Sequence, residues 1–422
     1  PLYEHAKALD PNFARADVSL SQAYSNLGQL ERAAEYADKA FVLREQVTER
    51  EKFDIASNYH SLHTGDLLAA IQVVELWRQT YPRDYGPRAR LASLYRLIGQ
   101  PERGLAAARE AEQLNPRAYV PRVNQGTALV LLNRFADARH VIEEAIAQQL
   151  ATATSRRDLF QIAFLDKDRA TMQQQLDALT GKPDEYWALH WQAQAASFNG
   201  QMRQAAGLYR RAAVLAEPQN RGRAARFLAE SALRSASYGQ CSAAKVVLPA
   251  EPARISLQSY VPTVVSRALA LALCGDVAAA QGLIDEIAAR NPQSTLANFV
   301  WLPVLRAVNE LQRNHPEEAL RLLETTRAYE PAAEFWAGYL RGQAFLRLGK
   351  NAEAEREFQA IWAHRGWDPL SSLYPLATLG LARAQADPQK RAAAYQEFLS
   401  LWQEADADLP ILRQAKAEFA RK

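Results

Sequence analysis

Residues 9–40 read LDPNFARADVSLSQAYSNLGQLERAAEYADKA, and this stretch decides the fold. The tripeptide at 10–12 (DPN) separates two helices, because proline cannot continue a helix and Asp and Asn favour the first turn of the next one. Gly28 interrupts the pattern before a second run of helix-forming residues. Between the two breaks, apolar side chains lie 7, 4 and 3 positions apart, on one face of a helix: Phe13, Leu20, Tyr24 and Leu27. The stretch therefore predicts two helices joined by a tight turn.

The same pattern repeats along the whole chain. A turn residue recurs every 33 to 39 positions, most often every 34: Gly28, Gly65, Gly99, Asn133, Lys167, Gly200, Gly239, Gly275, Asn314 and Gly349. Five positions after each turn stands a small residue, with only Met172 departing: Ala33, Ala70, Gly104, Ala138, Ala205, Ala244, Ala280, Ala319 and Ala354. Seven positions before it, with Asn58 and Phe160 departing, stand Ser21, Ala92, Gly126, Ala193, Ala232, Ala268, Ala307 and Gly342. Two helices can cross closely where side chains are this small.

A period of 34 residues is typical of the tetratricopeptide unit, a helix pair that stacks on its neighbours. We therefore predict an all-α fold, an α–α superhelical solenoid of about eleven such helix-turn-helix repeats. Residues 373–402 form the last repeat, and residues 409–422 form a C-terminal capping helix with a polar outer face. Residues 2–9 match the end of a second helix, so we expect the native polypeptide to continue upstream of Pro1.

The repeats differ in regularity, which suggests three segments. Residues 1–150 hold N-terminal repeats, the first of them truncated, and residues 151–262 hold less regular repeats with longer loops. Residues 263–422 hold the C-terminal repeats and the capping helix. One continuous superhelix and two stacked halves joined by a hinge both fit this pattern.

Composition excludes several classes of protein. With 50 basic and 47 acidic residues, the formal charge of +3 provides no field for nucleic acid or an anionic membrane. No window approaches the roughly 18 apolar residues of a membrane span. The two cysteines, Cys241 and Cys274, lie about one repeat apart, and two buried free thiols are favoured over a disulfide.

Five segments resemble the repeat region of bacterial protein kinases that carry C-terminal tetratricopeptide repeats. They are LDPNFARA at 9–16, TYPRDY at 80–85, WLP at 301–303, RGQA at 341–344 and LPIL at 409–412. In such relatives a kinase domain precedes the repeats, often across a membrane span. Similar repeat tails also follow winged-helix DNA-binding domains in bacterial regulators. The resemblance implies a docking or sensory arm of a larger bacterial signalling protein.

The chain itself carries no catalytic motif. The kinase motifs are absent, and Gly349-Lys350 is followed by Asn351, so this is no phosphate loop. His60 and His63 lie at i, i+3 without further metal ligands at suitable spacing. We expect a non-enzymatic protein- or peptide-binding scaffold with no cofactor, no metal and no nucleic acid. A free-standing assembly scaffold and the tail of a winged-helix transcriptional regulator are the alternatives.

The first helices of such repeats line the concave groove, where peptides bind. The expected groove residues are Ser19, Gln22, Tyr59, His63, Arg90, Ser93, Asn124 and Thr127. Their amide, hydroxyl and guanidinium groups can bond an extended peptide backbone and its carboxylates. In the last units an apolar stripe is either a docking groove for an amphipathic helix or inter-repeat core: Trp301, Val304, Val308, Trp336 and Tyr339.

Oligomeric state and compartment stay open at this point. The chain is expected to be cytoplasmic, or periplasmic if an upstream membrane span exists.

Overall fold

The computed structural model describes residues 2–27, 29–247 and 257–421, which form 24 α-helices and no strand. After α1 (Leu2–Leu9), eleven antiparallel pairs follow, numbered here as units 1 to 11, and a last helix closes the array. The pairs are α2 (Ala14–Asn26) with α3 (Leu30–Val42), α4 (Glu49–Asn58) with α5 (Leu67–Thr80), α6 (Tyr85–Leu97) with α7 (Pro101–Leu114), α8 (Tyr119–Leu131) with α9 (Phe135–Ala147), α10 (Ala153–Leu165) with α11 (Arg169–Asp177), α12 (Glu185–Phe198) with α13 (Met202–Ala216), α14 (Arg221–Ser237) with α15 (Cys241–Val247), α16 (Leu257–Leu273) with α17 (Val277–Arg290), α18 (Leu302–Gln312) with α19 (Pro316–Leu323), α20 (Trp336–Arg347) with α21 (Asn351–Ala363), and α22 (Leu373–Ala384) with α23 (Pro388–Leu401).

Short segments of other helix types complete the array. A π-helix at Tyr59–Thr64 extends α4, and a second at Ala297–Trp301 leads into α18. Segments of 3-10 helix lie at Arg44–Gln46, Glu324–Ala333 and Arg365–Trp367. The predicted capping helix is α24 (Pro410–Ala420), which buries Leu412 and Ala415 against unit 11. The predicted fold class is therefore confirmed.

The turn within each unit has the conformation that its position requires. Nine of the predicted turn residues have a φ between 57° and 81°: Gly65, Gly99, Asn133, Lys167, Gly200, Gly239, Gly275, Asn314 and Gly349. Gly28 lies outside the described residues. This left-handed conformation ends the first helix of the pair, and glycine and asparagine adopt it more readily than other residues.

The small residues lie at the helix crossings, as the pattern predicts. The alanines five positions after the turns are at most 1% exposed. A Cβ added at Gly104 would lie 3.1 Å from the carbonyl oxygen of Ala92, and one added at Gly126 would lie 2.9 Å from Cγ1 of Ile142. Larger side chains at these positions would force the helices apart.

The superhelix passes one full turn, and its second turn packs on its first. We call units 1–6 the first turn and units 8–11 the second turn, with unit 7 connecting them. The helix-pair turns of units 2, 3, 4 and 6 contact the segments that follow units 8, 9, 10 and 11, more than 200 residues further along. At unit 3, a Cβ added at Gly99 would lie 2.9 Å from Cδ of Pro331. These contacts join the second turn to the first turn at one unit after another.

Two of these contacts lie at units 2 and 4. The Thr295 amide donates to the Gly65 carbonyl oxygen over 3.1 Å. The Asn133 side chain makes two hydrogen bonds to the backbone after α21. Its Nδ2 donates to the Ala363 carbonyl oxygen over 2.6 Å, and its Oδ1 accepts from the Gly366 amide over 2.7 Å. A Cβ at Gly366 would overlap the carbonyl oxygen of Val130, so the two backbones touch here.

The contact at unit 6 combines an apolar and a charged part. Trp402 is 2% exposed, and its indole Nε1 donates to the Phe198 carbonyl oxygen over 2.9 Å. The Asp406 amide donates to the Gly200 carbonyl oxygen over 3.1 Å. Arg203 pairs with Asp408 over 2.7 Å on the rim.

The expectation of two free thiols is wrong. Cys241 and Cys274 form a disulfide, with Cα atoms 5.5 Å apart and both side chains half-buried. The bond joins the first residue of α15 to the residue that follows α16. Because α14 packs along α16, positions one repeat apart lie side by side at this point.

None of the described helices is long and apolar enough to cross a membrane.

Candidate functional site

A cavity of about 970 Å³ lies between the two turns of the superhelix, and we call it the chamber. Units 1 to 4 supply one wall, mainly through α2, α4 and α6, and the second turn supplies the opposite wall. The polar part of the lining includes Arg15, Gln22, Asp54, Asn58, His63 and Arg90. The apolar part includes Leu94, Leu97, Val120, Val261, Leu296 and Trp301.

Asp54 is the centre of the polar wall. Its carboxylate is 4% exposed, forms ion pairs with Arg15 and Arg90, and accepts Gln22 Nε2 over 3.4 Å. Arg90 also donates to Asn58 Oδ1 over 2.6 Å. Two guanidinium groups share one carboxylate here, so Arg15, Asp54 and Arg90 together carry a formal charge of +1. Such a wall favours an anionic group of a ligand.

Asn58 provides a free donor beside these charges. It is 2% exposed, and its Nδ2 has no hydrogen-bond acceptor among the described residues. Asp54 and Asn58 lie four positions apart on α4, so both face the chamber. A buried N–H group without an acceptor costs about 1–3 kcal/mol. An oxygen atom of a ligand at this point would remove that cost.

Four of the eight expected groove residues line the chamber: Gln22, His63, Arg90 and Ser93. Tyr59 and Ser19 do not. Tyr59 instead stacks between Phe41 and His63, with ring centroids 3.9 and 4.9 Å away.

Asn124 and Thr127 lie between helices and outside the chamber. Asn124 is 6% exposed and accepts the Ser93 hydroxyl over 3.2 Å. Thr127 is 7% exposed and donates to Asp158 over 2.6 Å.

The apolar stripe of the last units is mostly core in this structure. Val304 and Val308 are at most 1% exposed, and Trp336 is 7% exposed. Tyr339 is half-buried and packs on Phe358 with ring centroids 6.1 Å apart. These side chains fill the spaces between units 8 to 10, which is the second of the two alternatives for this stripe.

Trp301 is different, because it is half-buried and lines the chamber.

Several chamber residues were not predicted. Arg15 and Asp54 belong to units 1 and 2 but carried no periodic signal. The sequence marks Asn58 only as an exception to the small-residue pattern, and this exception is the one feature that could have identified it as a site residue. The second-turn wall at Val261 and Leu296 could not be found, because repeat periodicity describes only contacts between neighbouring units.

A second group of charged side chains lies inside the superhelix near unit 7. Glu230 accepts His190 Nε2 over 2.6 Å and Arg226 Nε over 2.8 Å. On the next turn of α14, Arg234 donates to Ser372 Oγ of the second turn over 2.6 Å. This group therefore links the connecting unit to units 10 and 11.

The pKa values of two carboxyl groups move in opposite directions there. Burial alone would raise the pKa of Glu230, but the charges of His190 and Arg226 outweigh it, and the pKa lies well below its ordinary value. Burial and the nearby Asp368 raise the pKa of Glu334 to about 7. Among the described residues, no group of three or more His, Cys, Asp or Glu side chains could hold a metal ion.

One comparison with known protein families agrees with the predicted repeats over the first unit. The model of the tetratricopeptide repeat family matches residues 14–46, which are α2 and α3. No curated protein matches the sequence. Among solved structures, one similar chain comes from the crystal structure of the APC/C hetero-tetramer Cut9-Hcn1, at 14% identity. The match covers 95% of this chain and 82% of that chain with a TM-score of 0.44, which is too distant to support a conclusion about function. Residues 14–46 are therefore similar to a tetratricopeptide repeat, and they form the helix pair of unit 1.

Proposed function

We propose that this scaffold binds an extended peptide segment of a protein partner in the chamber. The observation that carries this proposal is the polar wall, where a net positive charge and the unpaired Asn58 Nδ2 face the same cavity. A peptide carboxylate would neutralise this charge and accept a hydrogen bond from Asn58 Nδ2, because its oxygens accept from guanidinium and amide groups. The groove residues Gln22, His63 and Ser93 supply further polar groups along the wall.

The size of the chamber favours a few residues of peptide over a folded domain. Its volume of about 970 Å³ is at the upper end of ordinary ligand pockets, which span roughly 300–1,000 Å³. A folded partner would have to separate the two turns, which are joined at units 2, 3, 4 and 6. An extended segment can enter without that separation.

The test compares Arg15→Gln with the matched variant Arg313→Gln. Both arginine side chains are about half exposed, at 48% and 46%, and only Arg15 lines the chamber. Immobilised protein is exposed to a random-sequence hexapeptide library, and retained peptides are identified by mass spectrometry and titrated. Loss of a charge-assisted hydrogen bond costs about 1.5–3 kcal/mol, so we expect binding weakened about 10- to 100-fold for Arg15→Gln. Equal affinity of both variants would remove the chamber as the binding site.

We further propose that the scaffold is the docking or sensory arm of a larger bacterial signalling protein. The five segments that resemble kinase-associated repeats support this parent, and a free-standing assembly scaffold or a winged-helix regulator is the alternative. Reading the native coding frame upstream of Pro1 tests it, since a kinase domain, a winged-helix domain and a start codon give three distinct outcomes.

The disulfide supports the periplasmic alternative for the compartment. Disulfides persist in oxidising compartments, whereas the cytosol keeps most thiols reduced. Thiol labelling of the protein in intact bacteria tests this: blocked Cys241 and Cys274 are expected in the periplasm, and free thiols would contradict the proposal.

A further inference from the structure

We propose that the second turn of the superhelix supplies an apolar specificity subsite, so that the chamber selects a peptide in which a carboxylate stands next to an apolar side chain. This inference rests on the proposed function and adds the identity of the occupant. Its central residue is Trp301, with Leu296 and Val261 beside it on the second-turn wall.

The first argument is the position of the two π-helices among the described residues. One, at Tyr59–Thr64, contributes His63 to the first-turn wall, and the other, at Ala297–Trp301, contributes Trp301 to the second-turn wall. They are more than 200 residues apart in sequence and meet at a single cavity. π-helical segments are rare, and they are frequent at functional sites. Their joint position indicates a built site rather than a packing gap.

The second argument is that the two walls are fixed to each other beside the chamber. The Thr295 amide donates to the Gly65 carbonyl oxygen over 3.1 Å, and the Leu67 amide donates to Thr295 Oγ1 over 3.0 Å. Leu296 packs against the core of units 2 and 3 and also against the core of the second turn. The spacing between the polar and apolar walls is therefore set before any ligand binds.

The third argument is the chemistry of the two walls. The first-turn wall presents Arg15, Arg90 and the free Asn58 Nδ2 beside apolar side chains of α6. The second-turn wall presents the indole and hydrocarbon groups of Trp301 and Leu296, and none of the described residues that line it is charged. Successive side chains of an extended peptide point to opposite sides. In a peptide with an acidic residue followed by an apolar one, the carboxylate contacts the polar wall and the apolar side chain contacts the second-turn wall. A C-terminal apolar residue can also contact both walls, with its terminal carboxylate and its side chain. Both sources share the carboxylate-plus-apolar chemistry.

A ligand that touches both walls also couples binding to the packing of the two turns. Because it binds the stacked form better than a separated form, it stabilises the stacking by mass action. The same coupling predicts that weakening the inter-turn contacts far from the chamber lowers affinity.

The experiment uses the full chain and two random-sequence hexapeptide libraries, one with free C-terminal carboxylates and one with C-terminal amides. The variants are Trp301→Ala on the second-turn wall and, for comparison, Leu97→Gln on the first-turn wall, where Leu97 lines the chamber and is 38% exposed. The matched controls lie outside the chamber: Trp362→Ala, where the side chain is 37% exposed, and Leu114→Gln, where it is 42% exposed.

We expect the wild-type protein and both controls to enrich peptides with a carboxylate beside a large apolar side chain. Enrichment in the free-acid library alone identifies the C-terminus as the source, and enrichment of Asp or Glu beside an apolar residue in the amide library identifies side chains. For the enriched peptides, Trp301→Ala is expected to weaken binding by about tenfold or more, as for a buried aromatic anchor. Leu97→Gln should weaken it less.

Retained peptides without any apolar preference would overturn this inference and leave the proposed function in place. An apolar preference unchanged in Trp301→Ala would also overturn it. Retention of no peptide from either library would overturn the proposed function as well.

Discussion

Replacing Gly366 by alanine should separate the two turns at unit 4. A Cβ at this position would overlap the Val130 carbonyl oxygen, and it would lie 2.8 Å from the Val130 carbonyl carbon and 3.0 Å from Asn133 Oδ1. The Val130 carbonyl group is fixed because it belongs to the backbone of α8, and the Asn133 side chain is fixed by its two hydrogen bonds to the loop. The loop at 365–367 therefore has to move away from α8.

The size of the effect follows from the contacts that this movement breaks. The Asn133 side chain makes two hydrogen bonds to the loop, of 2.6 and 2.7 Å. Each contributes about 0.5–1.5 kcal/mol net. Alanine offsets part of this loss by restricting the unfolded chain, by about 0.4–1 kcal/mol. We expect the free energy of unfolding to fall by about 1–2 kcal/mol.

Gly282→Ala is the matched control for this change. Gly282 lies within α17, and an added Cβ meets nothing within 4 Å. Alanine there should stabilise the protein by about 0.5–1 kcal/mol, because glycine is unfavourable inside a helix. Both substitutions replace glycine by alanine, but we expect the free energy of unfolding to fall for Gly366→Ala and to rise for Gly282→Ala.

The assay combines urea unfolding with hydrogen exchange. The amide of residue 366 donates to Asn133 in the wild type, so its exchange should become faster in Gly366→Ala and stay unchanged in Gly282→Ala. If both variants exchange like the wild type at residue 366 and both are stabilised, the two turns do not pack as described.

Three further predictions concern other links in the array. Replacing Cys241 and Cys274 by serine removes a link across 33 residues and should lower the free energy of unfolding by about 3–4 kcal/mol, and an unchanged urea midpoint would contradict the disulfide. The pKa of Glu334 is raised to about 7 in the folded protein, so the folded state binds its proton more tightly than the unfolded state does. The resulting stabilisation is complete below about pH 4.5 and is lost as the pH rises through 7. Glu334→Gln should therefore be more stable than the wild type at pH 8 and gain nothing at pH 4. The neighbouring protein atoms and Asp368 raise the pKa, but Glu334 keeps an exposed surface where water screens its charge, so the difference should be modest. Equal stability across a pH series would contradict the shift. Trp402→Ala should cost about 3–5 kcal/mol in urea unfolding, against a smaller loss for the exposed Trp362→Ala, and equal losses would refute the contact at unit 6.

The sequence predicts what neighbouring units do to each other. The turn residues and the small residues at the crossings recur with the period of the helix pair, because each unit must pack on the next in the same way. Even Lys167, which has no special turn propensity, was identified by its phase and has a φ of 59°. The number of units and the capping helix follow from the same regularity.

Contacts between the two turns carry no such signal. Asn133 is recognisable as a turn residue, but nothing in its position reveals that its side chain binds a loop 230 residues away. Gly366 lies outside the repeat pattern altogether. The cysteine spacing showed that the two residues could be neighbours, but the direction of their side chains depends on how α15 packs, which the spacing leaves open.

The predicted groove and the chamber share four residues, Gln22, His63, Arg90 and Ser93. Their role in peptide binding stays a prediction. At the start of the π-helix at Tyr59–Thr64, Tyr59 stacks between Phe41 and His63, whereas His63 also lines the chamber. Asn58, the residue with the free donor, lies just before this π-helix.

The most direct test of the account is a photo-crosslinking map of an enriched peptide. The peptide carries photo-leucine at its apolar position, and the crosslinked sites are located by mass spectrometry of the digested full chain. We expect crosslinks within residues 291–301 of the second turn and within residues 85–97 of the first turn, on the two sides of the chamber. Crosslinks confined to the outer helices that do not line the chamber, such as α7 or α9, would contradict the claim that the chamber between the two turns holds the peptide.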